Sequence, residues 1–266
     1  MVQAAPDTVV SAAHLGRDSF TSAGSHPMKL GKIDIVRSDT MRSVEDPRAY
    51  LSRRYLFGRG IEVGALDHPT PLSRGSEVEY ADRLTTNDLS LHYPEIERSR
   101  LAPVGLIGNC EYLDSLSDVR KDFVIANHFL EHCQNPLGTL LSFARTLKAG
   151  GRILLTLPHR ERTFDSQRPP STHDHFLRDL ADGGLSTRYE HFYEWVTLVN
   201  RRSGSGAADE AVLLMQQDYS IHYHSWTTNE FLDFVRFASH ALPIGFNVVA
   251  CLENEAEFIC VLQLQH

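Results

Sequence analysis

The sequence predicts an α/β protein built on a doubly wound, mostly parallel sheet that finishes in an antiparallel strand pair and carries a helical and loop insertion. Three observations predict it. Strand-like apolar runs alternate with helical patterns between Gly60 and Leu157, the arrangement of a parallel sheet flanked by helices. The chain then ends in two strand-like runs, Phe246 to Leu252 and Glu257 to Leu264, close enough for a hairpin. Between them, from about His159 to Ser225, the periodicity weakens while polar, aromatic and histidine content rises, so this stretch reads as an insertion over the sheet edge.

Taken in order, residues up to about Lys32 are rich in Ser, Ala, Gly and Pro, and the segment 1–40 is expected to be a disordered tail before a domain spanning 41–266. Asp46-Pro47 supplies an N-cap and a first-turn proline for a helix carrying Tyr50, Leu51 and Tyr55. Strands follow at Gly60–Val63 and Val78–Asp82, a helix near Asn87 to Tyr93, and an apolar strand at Phe123–Ala126. Asn135-Pro136 opens a helix with Leu140, Leu141, Ala144 and Leu147 on one face, and Gly150-Gly151 ends it before a strand from Arg152 to Leu157. Thr227-Thr-Asn-Glu230 is a capping box ahead of the apolar face Phe231, Phe234, Val235 and Ala238.

The chain has 266 residues, within reach of one large α/β domain with an elaboration. Its 26 Lys and Arg against 34 Asp and Glu give a net charge of −8, which disfavours a nucleic-acid partner; a small molecule or glycan suits it better. No apolar run is long enough to span a membrane, and the first residues have neither a basic start nor an apolar core, so no signal peptide is expected. Cys110, Cys133, Cys251 and Cys260 form no CxxC pair and sit among apolar residues, which reads as cytoplasmic free thiols. The one compositional oddity is 14 histidines.

The Glu62-Val-Gly64 turn follows a strand, and Asp82 stands eighteen positions on (82 − 64 = 18) at the end of the next. In a nucleotide-binding α/β fold such a glycine lets backbone approach the ligand, and such a carboxylate accepts ribose hydroxyls. The later glycines of a GxGxxG fingerprint are missing from Gly64-Ala65-Leu66-Asp67-His68-Pro69, which argues for an adenosine ligand without a pyrophosphate. The alternative is a plain tight turn at Gly64 and a helix cap at Asp82.

Together with Asp122-Phe-Val-Ile-Ala-Asn127-His128-Phe-Leu-Glu131-His132 and Leu147-Lys-Ala-Gly-Gly-Arg-Ile-Leu-Leu-Thr-Leu-Pro158, these motifs resemble the class I S-adenosylmethionine-dependent methyltransferases, in the branch marked by Leu-Glu-His and Leu-Lys-x-Gly-Gly. The resemblance covers about residues 45 to 160 and the final strand pair. It implies a seven-stranded Rossmann-like sheet with the last strand antiparallel and the insertion after strand 5. It also implies S-adenosylmethionine as cofactor, held by Glu62, Gly64 and Asp82, with Glu62 near the cationic amino-acid end. Asn127 and His128 would line the pocket where donor and acceptor meet. Asn109 stands where such enzymes commonly put an acid against the adenine, with Glu111 two positions on. The insertion resembles a subgroup associated with glycan and secondary-metabolite biosynthesis, through Thr163-Phe164-Asp165, Arg168-Pro169, Asp174-His175 and the segment Asp218 to Thr227.

A hydroxyl acceptor needs a base, and histidine serves near neutral pH when a carboxylate fixes its tautomer. The candidates are His128, His175, His222 and His224, the last two alternating and so expected on one face. Arg168 or Arg178 could clamp the acceptor. Two readings stand beside a proton-transfer role: two or three of these histidines with Asp165 or Asp174 bind a divalent metal for metal-assisted O-methylation, or they brace loops. No HxxxH or other fixed metal spacing is present, so no metal ligand is assigned. Trp195 reads as core, whereas Tyr223 and Trp226 suit a core or an acceptor face equally. The alternatives to a methyltransferase are a nicotinamide-dependent sugar oxidoreductase and a noncatalytic binding protein on the same scaffold.

Overall fold

Parallel strands require crossovers, and the capped helices of this sequence supply them. The computed structural model describes residues 35–37 and 46–265. In chain order its elements are β1 (Ile35–Arg37), α1 (Pro47–Tyr55), β2 (Arg59–Val63), β3 (Glu77–Asp82), α2 (Thr86–His92), β4 (Val104–Ile107), β5 (Lys121–Asn127), α3 (Pro136–Thr146), β6 (Leu147–Pro158), α4 (His173–Asp182), α5 (Arg188–Glu194), α6 (Ser205–Gln216), α7 (Thr228–Ala241), β7 (Phe246–Asn254) and β8 (Glu257–Leu264). The predicted caps are in place. Asp46 accepts from the Arg48 amide, Asn135 from Gly138, and Thr227 and Glu230 form the full capping box.

The strand order is β1-β7-β8-β6-β5-β2-β3-β4. β2, β3, β4, β5 and β6 pair in parallel, while β8 runs antiparallel to both β6 and β7. The expected seven strands are all present. One correction applies to the N-terminal side: Ile35–Arg37, inside the segment assigned to the tail, adds a short parallel strand beside β7, making eight. The rest of that tail assignment lies outside the described residues. β6 is also longer than expected, because its pairing with β5 already begins at Lys121 and Leu147.

Alternation along the buried strands sends side chains to opposite faces. Ile61, Val63, Val124, Ala126, Ile153 and Leu155 pack on one side against α3 and α7 through residues such as Phe143 and Phe234. Phe123, Ile125 and Leu154 face the other side and meet Leu51 and Leu56. The insertion has its own small core of Phe192, Trp195, Val196, Ala207, Ala211, Ile221 and Tyr223. Trp226 is 2% exposed and stacks among Phe176, Phe231 and Phe234, tying the insertion to the main core. Tyr223 and Trp226 are therefore packing residues. No helix among the described residues is long and apolar enough to cross a membrane.

The chain runs outward from β2 through β3 to β4, then returns to place β5 on the other side of β2. This reversal opens a crevice above the carboxyl ends of β2 and β5, the switch point where open α/β sheets bind ligands.

Candidate active site

The floor of the crevice is a hydrogen-bonded chain across three strand ends. Glu62, fully buried at the end of β2, accepts from the Thr70 amide at 3.1 Å, the Thr70 hydroxyl at 2.6 Å and Asn127 Nδ2 at 3.2 Å. Asn127 Nδ2 also donates to Thr70 Oγ1 at 2.8 Å, and its Oδ1 accepts from the Thr156 hydroxyl of β6 at 2.6 Å. Burial pushes the Glu62 carboxyl above its usual range, opposed by the Thr70 hydroxyl and amide. Glu62 faces protein partners on this side of the strand ends. Its oxygens accept from Thr70 and Asn127, contacts that link the end of the 64–70 turn to the ends of β2 and β5.

Gly64 has φ +63, a conformation that costs a side-chain-bearing residue about 1–2 kcal/mol. A Cβ there would meet nothing within 4 Å, so the space above this turn is open to a ligand. Asp82 is half-buried beside it at the end of β3; its Oδ1 accepts the Leu84 amide, and burial raises its carboxyl. An open glycine turn with a carboxylate on the adjoining strand fits an adenosine-type ligand. Asn109 caps the turn that follows β4 by accepting the Glu111 amide, and Glu111 in turn accepts the Asn135 amide at the start of α3. These two residues therefore tie the β4 loop to the β5 loop beside the crevice.

His128, at φ +49 just past β5, lies 2.9 Å from Glu257 and 3.4 Å from Glu131. Those two carboxylates raise its pKa to about 9, so it is an imidazolium at neutral pH. It is a positive group held between two acids at the carboxyl end of β5.

The other histidines sort into two groups, and His222 and His224 do not share one, contrary to the expectation from their alternation. The His222 ring lies against His132, Phe164 and Trp195, with Nδ1 2.7 Å from Asp165 Oδ2. Asp165 is completely buried and also pairs with Arg168 at 3.0 Å. Burial, which would raise the Asp165 carboxyl, is outweighed by His222 and Arg168, so it stays ionised below its usual range. Ligand atoms of Glu131, His132 and His222 lie within 4.8 Å of one another; both Glu131 oxygens are buried and make no hydrogen bond, the nearest charged partner of Oε1 being His128 Nδ1 at 3.4 Å. Burial lowers His132, whose Nδ1 meets the Ile221 carbonyl at 2.9 Å.

The second group gathers His175, Asp179, His191 and His224. Its members lie in α4, in α5 and in the segment returning to α7. His224 is fully buried between aromatic rings, so it cannot meet an acceptor. Asp174 is exposed in the first turn of α4 and is not part of this group. Arg168 is not an acceptor clamp. It is buried, paired with Asp165 and Glu194, and donates to the carbonyls of His222 and Tyr223. Arg178 pairs with Glu190 at the surface.

Sequence reading missed Thr70, Thr156, Glu257 and Asp179, and placed His191 only as one of the histidines concentrated in the insertion. Only Asp179 had a legible signal, because His175-x-x-x-Asp179 places two ligand-type side chains on one helix face.

Comparison with known proteins gives a family and several similar folds. The family described as Methyltransferase domain matches residues 46–211, more than half of the chain. No curated protein matches. Among solved structures, a Rhodobacter sphaeroides protein provisionally described as a Zn-dependent alcohol dehydrogenase is similar at 9% identity and TM-score 0.48, over 84% of this chain and 91% of its own. A SAM-dependent methyltransferase from Aquifex aeolicus is similar at 12% identity and TM-score 0.45, over 82% and 89%. Another from Thermotoga maritima is similar at 17% identity and TM-score 0.40, over 82% and 90%. The family match spans the glycine turn, the Asp82 strand end and the β5 loop, and it sets aside the nicotinamide and noncatalytic readings: this chain belongs to the methyltransferase-domain family and is an enzyme whose methyl donor is S-adenosylmethionine.

Proposed function

We propose that this methyltransferase methylates a hydroxyl of a small-molecule or glycan acceptor, with His222 as general base and Asp165 as the residue that orients it. The supporting observation is the buried pair itself. Asp165 Oδ2 sits 2.7 Å from His222 Nδ1, and Arg168 fixes Asp165 from the other side. An ionised carboxylate at Nδ1 keeps the proton there, which leaves Nε2 as the basic nitrogen and stabilises the imidazolium once it takes a second proton.

On this reading the donor lies over Gly64, with its ribose hydroxyls on Asp82 and its adenine beside Asn109 and Glu111. Asn127 and Glu62 hold the turn from beneath, and His128 borders the methionine end. The bound donor supplies a methyl group on a sulfonium, an electrophile that needs no further activation. The acceptor oxygen forms the new C–O bond, its proton passes to His222 Nε2, and the C–S electron pair leaves with the sulfur as neutral S-adenosylhomocysteine. The protein's main contribution is alignment of oxygen and methyl in line. Phe164, 54% exposed and 4.8 Å from the His222 ring, offers an aromatic face to the acceptor.

His222→Gln keeps side-chain polarity and removes the base. With release of S-adenosylhomocysteine followed across phenolic and saccharide acceptors, turnover should fall about 10²–10⁴-fold while S-adenosylhomocysteine affinity by calorimetry stays unchanged. Undiminished turnover refutes the base assignment, and a parallel loss of donor-product affinity assigns His222 a structural role instead.

A further inference from the structure

We propose that His175, Asp179, His191 and His224 form a closed four-ligand site for a divalent transition metal, zinc by its chemistry, that fastens the insertion to the main domain. His175 Nε2 lies 3.1 Å from His191 Nε2 and 3.4 Å from Asp179 Oδ2, and His224 Nε2 lies 3.4 Å from the same carboxylate oxygen. Tetrahedral ligands at zinc bond lengths of about 2.0–2.1 Å are about 3.3 Å apart, so these three separations already match edges of such a tetrahedron. All pairs of ligand atoms are within 4.8 Å, so the widest need no more than about 1.5 Å of closure around an ion.

The convergence is built by the fold. His175 and Asp179 share one face of α4 at i and i+4. Gly183 and Gly184 then turn the chain at φ +76 and +83, and a Cβ on Gly184 would strike the Gln134 carbonyl at 2.8 Å, so α5 can swing His191 back only with glycine there. His224 arrives from the return segment, whose Tyr223 and His224 amides both donate to the Glu131 carbonyl.

Independent of the clustering, Asp179 points to a missing partner. The residue is fully buried, and its Oδ2 makes no hydrogen bond: its polar neighbours are the His175 and His224 Nε2 atoms, each 3.4 Å away and not aligned to donate. A buried carboxylate oxygen without a donor is costly, and a cation between it and the imidazoles removes that cost. Its other oxygen takes the Thr187 hydroxyl, and the Tyr223 carbonyl engages His191, the outer contacts that orient metal ligands. Three imidazoles and one carboxylate suit zinc and its neighbours, not magnesium or calcium. Four protein ligands, two of them with no exposure, leave no position for substrate, so the site is structural.

Two contacts must change on loading: His224 Nε2, 3.5 Å from the Gln134 carbonyl, must give up its proton and that contact, and the surroundings of His175 must rearrange. Arg178 Nη2 stands 3.0 Å from His175 Nδ1, an arrangement that keeps the proton on Nε2. Metal binding shifts that proton to Nδ1 and turns Arg178 away; the guanidinium is half-exposed and keeps Glu190 as its partner. The site shares no residue with Glu131, His132 and His222, but His224 is two residues from His222, so the metal would hold the backbone that presents the base.

The test is elemental analysis of the full chain after growth with zinc and desalting without chelator, a readout independent of methyl transfer. The expected result is about one zinc per chain, falling to a small fraction in Asp179→Asn and His191→Gln and unchanged in His222→Gln. Cobalt added to chelator-treated protein should give the intense visible absorption of tetrahedral coordination. Should the ligand variants fail to fold, the wild type decides: chelation should lower its thermal midpoint, and zinc but not magnesium should restore it. A metal-free wild type with no cobalt spectrum and a midpoint indifferent to chelator overturns the proposal. So does zinc that survives His191→Gln in a folded chain, or that His222→Gln abolishes, since the ion would then sit with Glu131 and His132.

Discussion

Thr70→Val tests whether the crevice is held from beneath by the Glu62 chain. Threonine and valine have nearly the same shape, and Thr70 is 6% exposed, so the substitution removes little packing. It deletes the hydroxyl that donates to Glu62 Oε1 at 2.6 Å and accepts from Asn127 Nδ2 at 2.8 Å. The first is a bond to a buried carboxylate, worth about 1.5–3 kcal/mol, and the second a neutral bond of about 0.5–1.5 kcal/mol. The Thr70 amide and Asn127 still serve Glu62, so the expected loss is about 2–4 kcal/mol. For a domain of this size that lowers the thermal midpoint by roughly 4–16 °C. Because the 64–70 turn loosens, S-adenosylhomocysteine affinity should fall as well, about tenfold or more, although Thr70 touches the donor nowhere in the proposed arrangement. Differential scanning calorimetry and titration calorimetry on the same samples give both numbers. An unchanged midpoint would show that the Glu62 chain carries no stability. A lowered midpoint with unaltered affinity would refute the claim that this chain positions the donor turn.

Asp82→Ala should weaken S-adenosylhomocysteine binding about 10- to 1000-fold by calorimetry, through loss of two charge-assisted bonds to the ribose, with little change in thermal midpoint; unchanged affinity removes Asp82 from the donor site. His128 gives a pH prediction. Glu131 and Glu257 raise its pKa to about 9, so the folded chain binds this proton more tightly than the unfolded chain does. Its contribution is complete below the ordinary imidazole range and is lost as pH rises through about 9. The stability difference between wild type and Glu257→Gln, followed by urea denaturation, should accordingly shrink between about pH 6.5 and 9; a difference constant with pH refutes it.

Much of the fold is local in origin and therefore legible in the chain. Asp46-Pro47, Asn135-Pro136 and the Thr227–Glu230 box set helix starts because caps act over three or four residues. The apolar runs at Ile61–Val63 and Phe123–Ala126 read as strands because they are buried on both faces. β1 escaped notice because three residues carry no periodicity; it exists through pairing with β7, more than two hundred positions away.

The sheet, the glycine turn with Asp82 beyond it, and the concentration of histidines after β6 are all legible in the chain alone. Those depend on spacing within a few residues or on alternation along one strand. Which partners each histidine meets follows from long-range packing. His222 and His224 alternate in sequence, yet one meets Asp165 across 57 positions and the other meets Asp179 and His191. His128 became a cation because Glu257, 129 positions away, closes on it from the β7–β8 turn. A proton's place and a metal's ligands are set by distances of about 3 Å between side chains, and packing of distant segments sets those distances.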